Sequence, residues 1–86
     1  MMSVVDNLLY KIDLLDLASK YTDLHQFSDG SYRGICPIHK GSNTSSFAVY
    51  GSTYYCFSCG SYGNAIDFYC NVTGLAFYQG VEELCR

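Results

Sequence analysis

Cationic residues are scarce in this chain. Among 86 residues only Lys11, Lys20, Arg33, Lys40 and Arg86 are basic, against eight Asp and Glu, and the formal charge is −3. Affinity for nucleic acid comes mainly from phosphate neutralisation, so this charge balance argues against a nucleic-acid binder. No stretch approaches the roughly eighteen apolar residues of a membrane span, and no membrane partner is expected. The opening MMSVVDNLLYKID lacks the basic start and long apolar run of a secretory leader. These absences point to the cytoplasm, where disulfides are rare. The five cysteines are an odd number, which also argues against a disulfide framework. No repeat, low-complexity segment or linker is visible, so one domain is expected over 1–86. A core of that size is marginal alone and calls for a staple.

The staple is legible in two short motifs. C-P-I-H at 36–39 and C-F-S-C-G at 56–60 each hold two ligand-type residues with two residues between them. That gap lets the chain turn so that both members of a pair reach one ion. Cys36, His39, Cys56 and Cys59 therefore read as the four ligands of one Zn2+ ion, with Gly60 in the left-handed turn that closes the second pair. Four protein ligands leave no open position, so the metal is expected to be structural. With three thiolates and one zinc ion the chain is one charge more negative than its formal value. A four-cysteine alternative, with Cys70 in place of His39, is disfavoured because Cys70 lies within a helical pattern. Cys70 and Cys85 read otherwise as small buried hydrophobes, and His25 as a solvated loop histidine.

Helices and strands alternate around these motifs. Val4, Val5, Leu8, Leu9 and Ile12 share one helical face after an N-cap at Ser3. Asp13 caps a second helix carrying Leu14, Leu17, Ala18 and Tyr21. Asp29-Gly30 is a turn. Strands are expected at Tyr32–Cys36, Phe47–Tyr50 and Tyr54–Phe57, the last two joined by a tight Gly51-Ser52 hairpin. The loop at 40–46 is rich in Gly, Ser, Asn and Thr. Asn64 caps a helix over Ala65–Cys70, stopped by Thr73-Gly74. A last helix, about Phe77–Cys85, has Phe77, Val81, Leu84 and Cys85 on one face, with Gly80 costing up to roughly 1 kcal/mol. The fold class is α+β: a small zinc ribbon, an antiparallel sheet flanked by short helices. The chain runs out in helix, as a piece of a longer polypeptide would.

Taken in order, these motifs resemble the N-terminal Cys-His-Cys-Cys zinc-binding domain of bacterial and phage DNA primases. I-D-L-L-D-L-A-S-K-Y at 12–21, G-S-Y-R-G-I-C-P-I-H at 30–39, S-S-F at 45–47, Y-Y-C-F-S-C-G at 54–60, G-N-A-I-D-F at 63–68 and F-Y-Q-G-V-E-E-L at 77–84 carry the resemblance. It implies a template-recognition role for single-stranded DNA in RNA primer synthesis during replication. It also implies a catalytic toprim domain and a replicative helicase as partners. No catalytic residue is expected here, since the family's metal-binding carboxylates lie in the toprim domain. One departure stands out: K-G-S-N-T-S-S-F at 40–47 is one residue longer than the family's run and lacks its inner lysine and its proline.

With few cations, single-strand recognition would have to rest on aromatics, of which there are nine Tyr and five Phe. Arg33, Lys40, Tyr50, Tyr55 and Tyr62 are the candidates. Strand alternation points Tyr55 and Phe57 one way and Tyr54 and Cys56 the other, and aromatic rings can stack on bases without much positive charge. Packing of those tyrosines on the small core is the competing reading. Glu82-Glu83, adjacent on a helix, read as a solvated face rather than an acid–base pair. The functional alternative is a non-enzymatic zinc-ribbon module that mediates protein–protein contacts in replication or in a mobile element.

Overall fold

Polar caps decide where the helices begin. The computed structural model describes residues 3–86. Ser3 Oγ accepts from the Asp6 N–H (3.1 Å) and the Asp6 carboxylate accepts from the Ser3 N–H (3.4 Å), a capping box that opens α1 (Val4–Lys11). Ile12 is extended, and Asp13 then opens α2 (Leu14–Ser19) by accepting from Leu15 and Asp16. Asn64 and Asp67 form a second box at α3 (Ala65–Thr73), which ends on Gly74 at φ +80°. α3 runs one turn beyond the expected Cys70, because nothing before Gly74 breaks it. α4 (Phe77–Leu84) closes the chain.

Between α2 and α3 lie five strands: β1 (His25–Gln26), β2 (Tyr32–Gly34), β3 (Phe47–Tyr50), β4 (Thr53–Cys56) and β5 (Tyr62–Gly63). They form one antiparallel sheet in chain order. The β3–β4 hairpin turns on Gly51-Ser52, with Tyr50 opposite Thr53. β2 stops at Gly34, short of the expected Cys36. A side chain there would overlap the Asp23 carbonyl, and the chain then leaves the ladder for the first metal pair. β4 starts at Thr53 and releases Phe57, whose N–H donates to Ser46 O (2.7 Å) instead. β1 and β5 were not anticipated. Each has two residues, too few to show an alternating pattern. His25 thus belongs to an edge strand opposite Arg33, although it is solvated as expected.

One face of the sheet carries the core. Phe47, Tyr54 and Phe68 meet as a triad with ring centroids 5.5–5.6 Å apart, and Leu14, Leu17, Ala18, Val49 and Ala65 complete the cluster. The triad gains from aromatic edge and tilt contacts beyond area burial alone. The Tyr54 hydroxyl is satisfied by Ser61 Oγ (2.9 Å) and by Asn71 Nδ2, which donates to it (2.8 Å). The outer helices are looser than their patterns imply. On α1 only Leu8 is buried, while Val4 stays 64% exposed. On α4 Phe77 is exposed and the buried residue is Gly80. A Cβ on Gly80 would overlap the Cys70 sulfur, so the glycine lets α4 approach α3. Cys70 is half-buried at that crossing, whereas Cys85 is exposed rather than buried.

Candidate metal centre and aromatic face

Two chain reversals bring four ligands together. The ligand atoms of Cys36, His39, Cys56 and Cys59 all lie within 4.8 Å of one another, and His39 Nδ1 is 3.7 Å from Cys56 Sγ. A zinc tetrahedron with Zn–S near 2.3 Å and Zn–N near 2.0–2.1 Å has edges of about 3.5–3.8 Å. Three sulfurs and one imidazole at such separations fit one structural Zn2+ ion. Cys70 is not part of the cluster: its Sγ lies 3.8 Å from Ala76 O at the α3–α4 crossing, which rules out the four-cysteine alternative.

Each pair combines a buried first ligand, Cys36 or Cys56, with an exposed second one, His39 or Cys59. After His39 the chain turns on Lys40 at φ +50°, the one non-glycine residue with positive φ among those described. Gly41 then passes so close to the imidazole that a Cβ would overlap Nε2, leaving Nδ1 for the metal. After Cys59 the turn is made by Gly60 at φ +78°, whose N–H donates to Cys56 O (2.9 Å). The two buried thiols differ electrostatically. Burial pushes Cys36 up to about 12. Burial also pushes on Cys56, but hydrogen bonds from the Cys59 and Ser58 backbone and from the Cys59 and Cys36 side chains outweigh it and hold that thiol below its ordinary value. The Cys59 N–H to Cys56 Sγ contact is 3.4 Å.

The opposite face of the sheet is aromatic and open. Register aligns His25, Arg33, Ala48, Tyr55 and Tyr62 in one row across all five strands. Tyr55 stacks on Tyr62 (6.4 Å, 27° between planes) and meets Phe57 edge-on at 4.9 Å. The Arg33 guanidinium lies 5.2 Å from the Phe27 centroid and 5.3 Å from that of Phe57, within cation–π range of both. Its Nη2 donates to Tyr50 Oη and to Asp29 Oδ2 (both 3.4 Å), and its Nε to Ser31 Oγ (3.2 Å). Hydrogen bonds from the Ser31 hydroxyl and N–H, helped by the Arg33 charge, hold the Asp29 carboxyl below its usual range. The structure thus gathers Arg33, Tyr50, Tyr55 and Tyr62 on one surface and adds Phe57 and Phe27. Phe27 was missed because it precedes the Asp29-Gly30 turn, outside any strand pattern. Lys40 lies in the closing turn of the first metal pair. Glu82 and Glu83 are tied to Arg86 (3.6 Å each), the solvated helix face expected.

A family model described as "CHC2 zinc finger" matches residues 1–86, the whole chain. The chain belongs to the CHC2 zinc finger family. Similar proteins include the DNA primase of Pseudomonas putida (40% identical over 86 residues, 98% of this chain and 13% of the relative) and that of Escherichia coli (39% over 82 residues, 93% and 14%). A third is the DNA primase of Thermotoga maritima (32% over 84 residues, 96% and 15%). A crystal structure of the Aquifex aeolicus primase, comprising zinc-binding and RNA polymerase domains, superposes with a TM-score of 0.87 at 33% identity. That match covers 99% of this chain and 21% of the other. This CHC2 zinc finger therefore spans about a seventh of the length of the primases it matches. No described helix is long and apolar enough to cross a membrane.

Proposed function

We propose that this CHC2 zinc finger is the template-recognition module of a DNA primase, engaging single-stranded DNA during RNA primer synthesis. The observation that carries the proposal is the open row of Tyr55, Tyr62 and Phe57 beside Arg33, on the sheet face opposite the core. Unpaired bases stack on such rings at about 1–3 kcal/mol each, with little demand for charge. The zinc ion supplies rigidity: it ties Cys36, at the exit of β2, to Cys56, at the end of β4, so the platform keeps its shape. Polymerisation belongs to a separate catalytic domain of the toprim type, and a replicative helicase is the further partner. Residues 1–86 are the N-terminal module of that longer chain, and it acts in the cytoplasm.

A second reading is favoured by one observation. Arg33 is already paired with Asp29, which leaves little free positive charge on the face. A module of that kind would bind a replication protein or a mobile-element partner through the same aromatics. Anisotropy titration of a labelled single strand separates the two. Template recognition predicts weak binding, no tighter than roughly 100 μM near physiological salt, with a log–log salt slope near −2. Tyr55→Ala lowers the affinity and leaves the slope alone, because stacking releases no counterions. No binding at millimolar DNA, or tight capture of a protein through the same rings, would favour the second reading.

A further inference from the structure

Arg33 is the cation nearest the centre of the aromatic face, yet its surroundings are wrong for a phosphate contact. Its charge is met by Asp29, its Nε by Ser31, and its Nη2 by Asp29 and Tyr50. Two phenylalanine rings hold the guanidinium plane. An arginine that neutralises backbone phosphates is typically a mobile, uncompensated charge. This one is oriented and compensated, and its side chain is only 21% exposed.

One edge is left over. Nη1 donates no hydrogen bond among the described residues, and no buried side-chain nitrogen or oxygen lacks a partner, so Nη1 reaches solvent. It carries two N–H donors, since guanidinium has no acceptor. Register puts Arg33 in the same cross-strand row as Tyr55 and Tyr62, and Phe57 meets both the guanidinium and the Tyr55 ring. A planar ligand stacked on those rings therefore shares its face of the sheet with the Arg33 donors. The donors suit an exocyclic carbonyl oxygen.

We infer that Arg33 is a specificity-determining residue that reads the carbonyl edge of an unpaired nucleobase stacked on the tyrosine row, and does not bind the DNA backbone. This rests on the template-recognition reading and deepens it. Thymine, cytosine and guanine present such a carbonyl; adenine does not. The Phe27 and Phe57 rings and the Asp29 carboxylate act as positioning groups that hold the guanidinium in place, so lysine cannot substitute. A lysine has neither the plane that lies against the rings nor the fork that fixes a free edge.

The test compares labelled thymidine and deoxyadenosine octamers on the zinc-loaded chain by anisotropy across a salt series. Wild type is set against Arg33→Met, which keeps the apolar stem against the rings, and Arg33→Lys, which keeps the charge. Equal zinc content in all three establishes that each is folded. The thymidine-to-deoxyadenosine affinity ratio is expected to fall about fivefold in both variants, with the Arg33→Met salt slope unchanged. The ratio, rather than the absolute preference, is the readout, because deoxyadenosine strands self-stack. An unchanged ratio in Arg33→Met, or one restored in Arg33→Lys, overturns the inference while leaving template recognition standing. A slope smaller by about 0.7 in Arg33→Met makes Arg33 a phosphate contact and overturns it equally. Absence of binding by wild type to either octamer removes template recognition, and this inference with it.

Discussion

The two halves of the metal centre do the same job with different residues. The first pair, Cys36 and His39, follows a strand that ends at Gly34, and its closing turn forces Lys40 into a left-handed conformation at φ +50°. The second, Cys56 and Cys59, ends β4 and closes on Gly60 at φ +78°, where no neighbouring atom lies within contact of a Cβ position. Burial raises both buried thiols; at Cys36 it prevails and pushes the thiol up to about 12, while at Cys56 hydrogen bonds from the turn and from the Cys59 and Cys36 side chains outweigh it. Both sulfurs receive backbone hydrogen bonds from their own turns, His39 and Ile38 at Cys36 and Cys59 and Ser58 at Cys56. What separates the pairs is the closing turn, a glycine in the second and a left-handed lysine in the first. A C-x-x-H pair and a C-x-x-C pair are therefore not interchangeable halves of one motif.

The largest expected effect comes from removing what joins them. Structural zinc contributes on the order of 10 kcal/mol in small domains, more than a core of this size retains. Complete chelation, Cys56→Ser and Cys59→Ser should each unfold the chain, and elemental analysis should find one zinc per native chain. Cys70→Ser should leave zinc content unchanged. A chelated chain that still melts cooperatively would remove the structural role of the metal.

Acid should act on both halves at once. Thiolate ligands must lose their protons to bind, so bound-state thiol values lie below the free ones, and the stability that zinc confers is lost as pH falls. Competition with a chromogenic chelator should show apparent zinc affinity rising with pH, because each ligand thiol gives up its proton on binding. An affinity that does not change with pH across the thiol range would mean that binding displaces no thiol protons.

The smallest effects concern the closing turns. Gly60→Ala meets no steric obstacle, so its cost is that of a left-handed alanine, roughly 1 kcal/mol. Lys40→Gly removes the same strain from the other turn and should stabilise by a few tenths to 1 kcal/mol, less the added freedom of the unfolded glycine. Denaturant midpoints of the zinc-bound variants should move in opposite directions. Movement in the same direction would mean that turn conformation is not what distinguishes the pairs.

Legibility followed the range over which each feature is encoded. The four ligands, the Gly51-Ser52 hairpin and the caps Ser3, Asp13 and Asn64 were readable because each is a relation among residues a few positions apart. The ends of β2 and β4 were misplaced, because their aromatic and β-branched character continues past the point where the ladder stops. At Gly34 the stop is the approach of the Asp23 carbonyl, thirty-odd atoms of chain away and invisible in the pattern. The two shortest strands were not readable at all.

By itself, then, the amino-acid sequence determined the metal centre and the approximate element order, since ligand spacing and capping act locally and withstand ignorance of the rest. Only the tertiary structure decided the remainder. It turned Gly80 from a weak point in a helix into the crossing that admits the Cys70 sulfur. It also put Lys40 in the closing turn of the first metal pair and brought Phe27 against Arg33. Those outcomes depend on which surfaces meet when the sheet and helices pack. A one-dimensional pattern records which residues want burial or charge, but not which partner each will find.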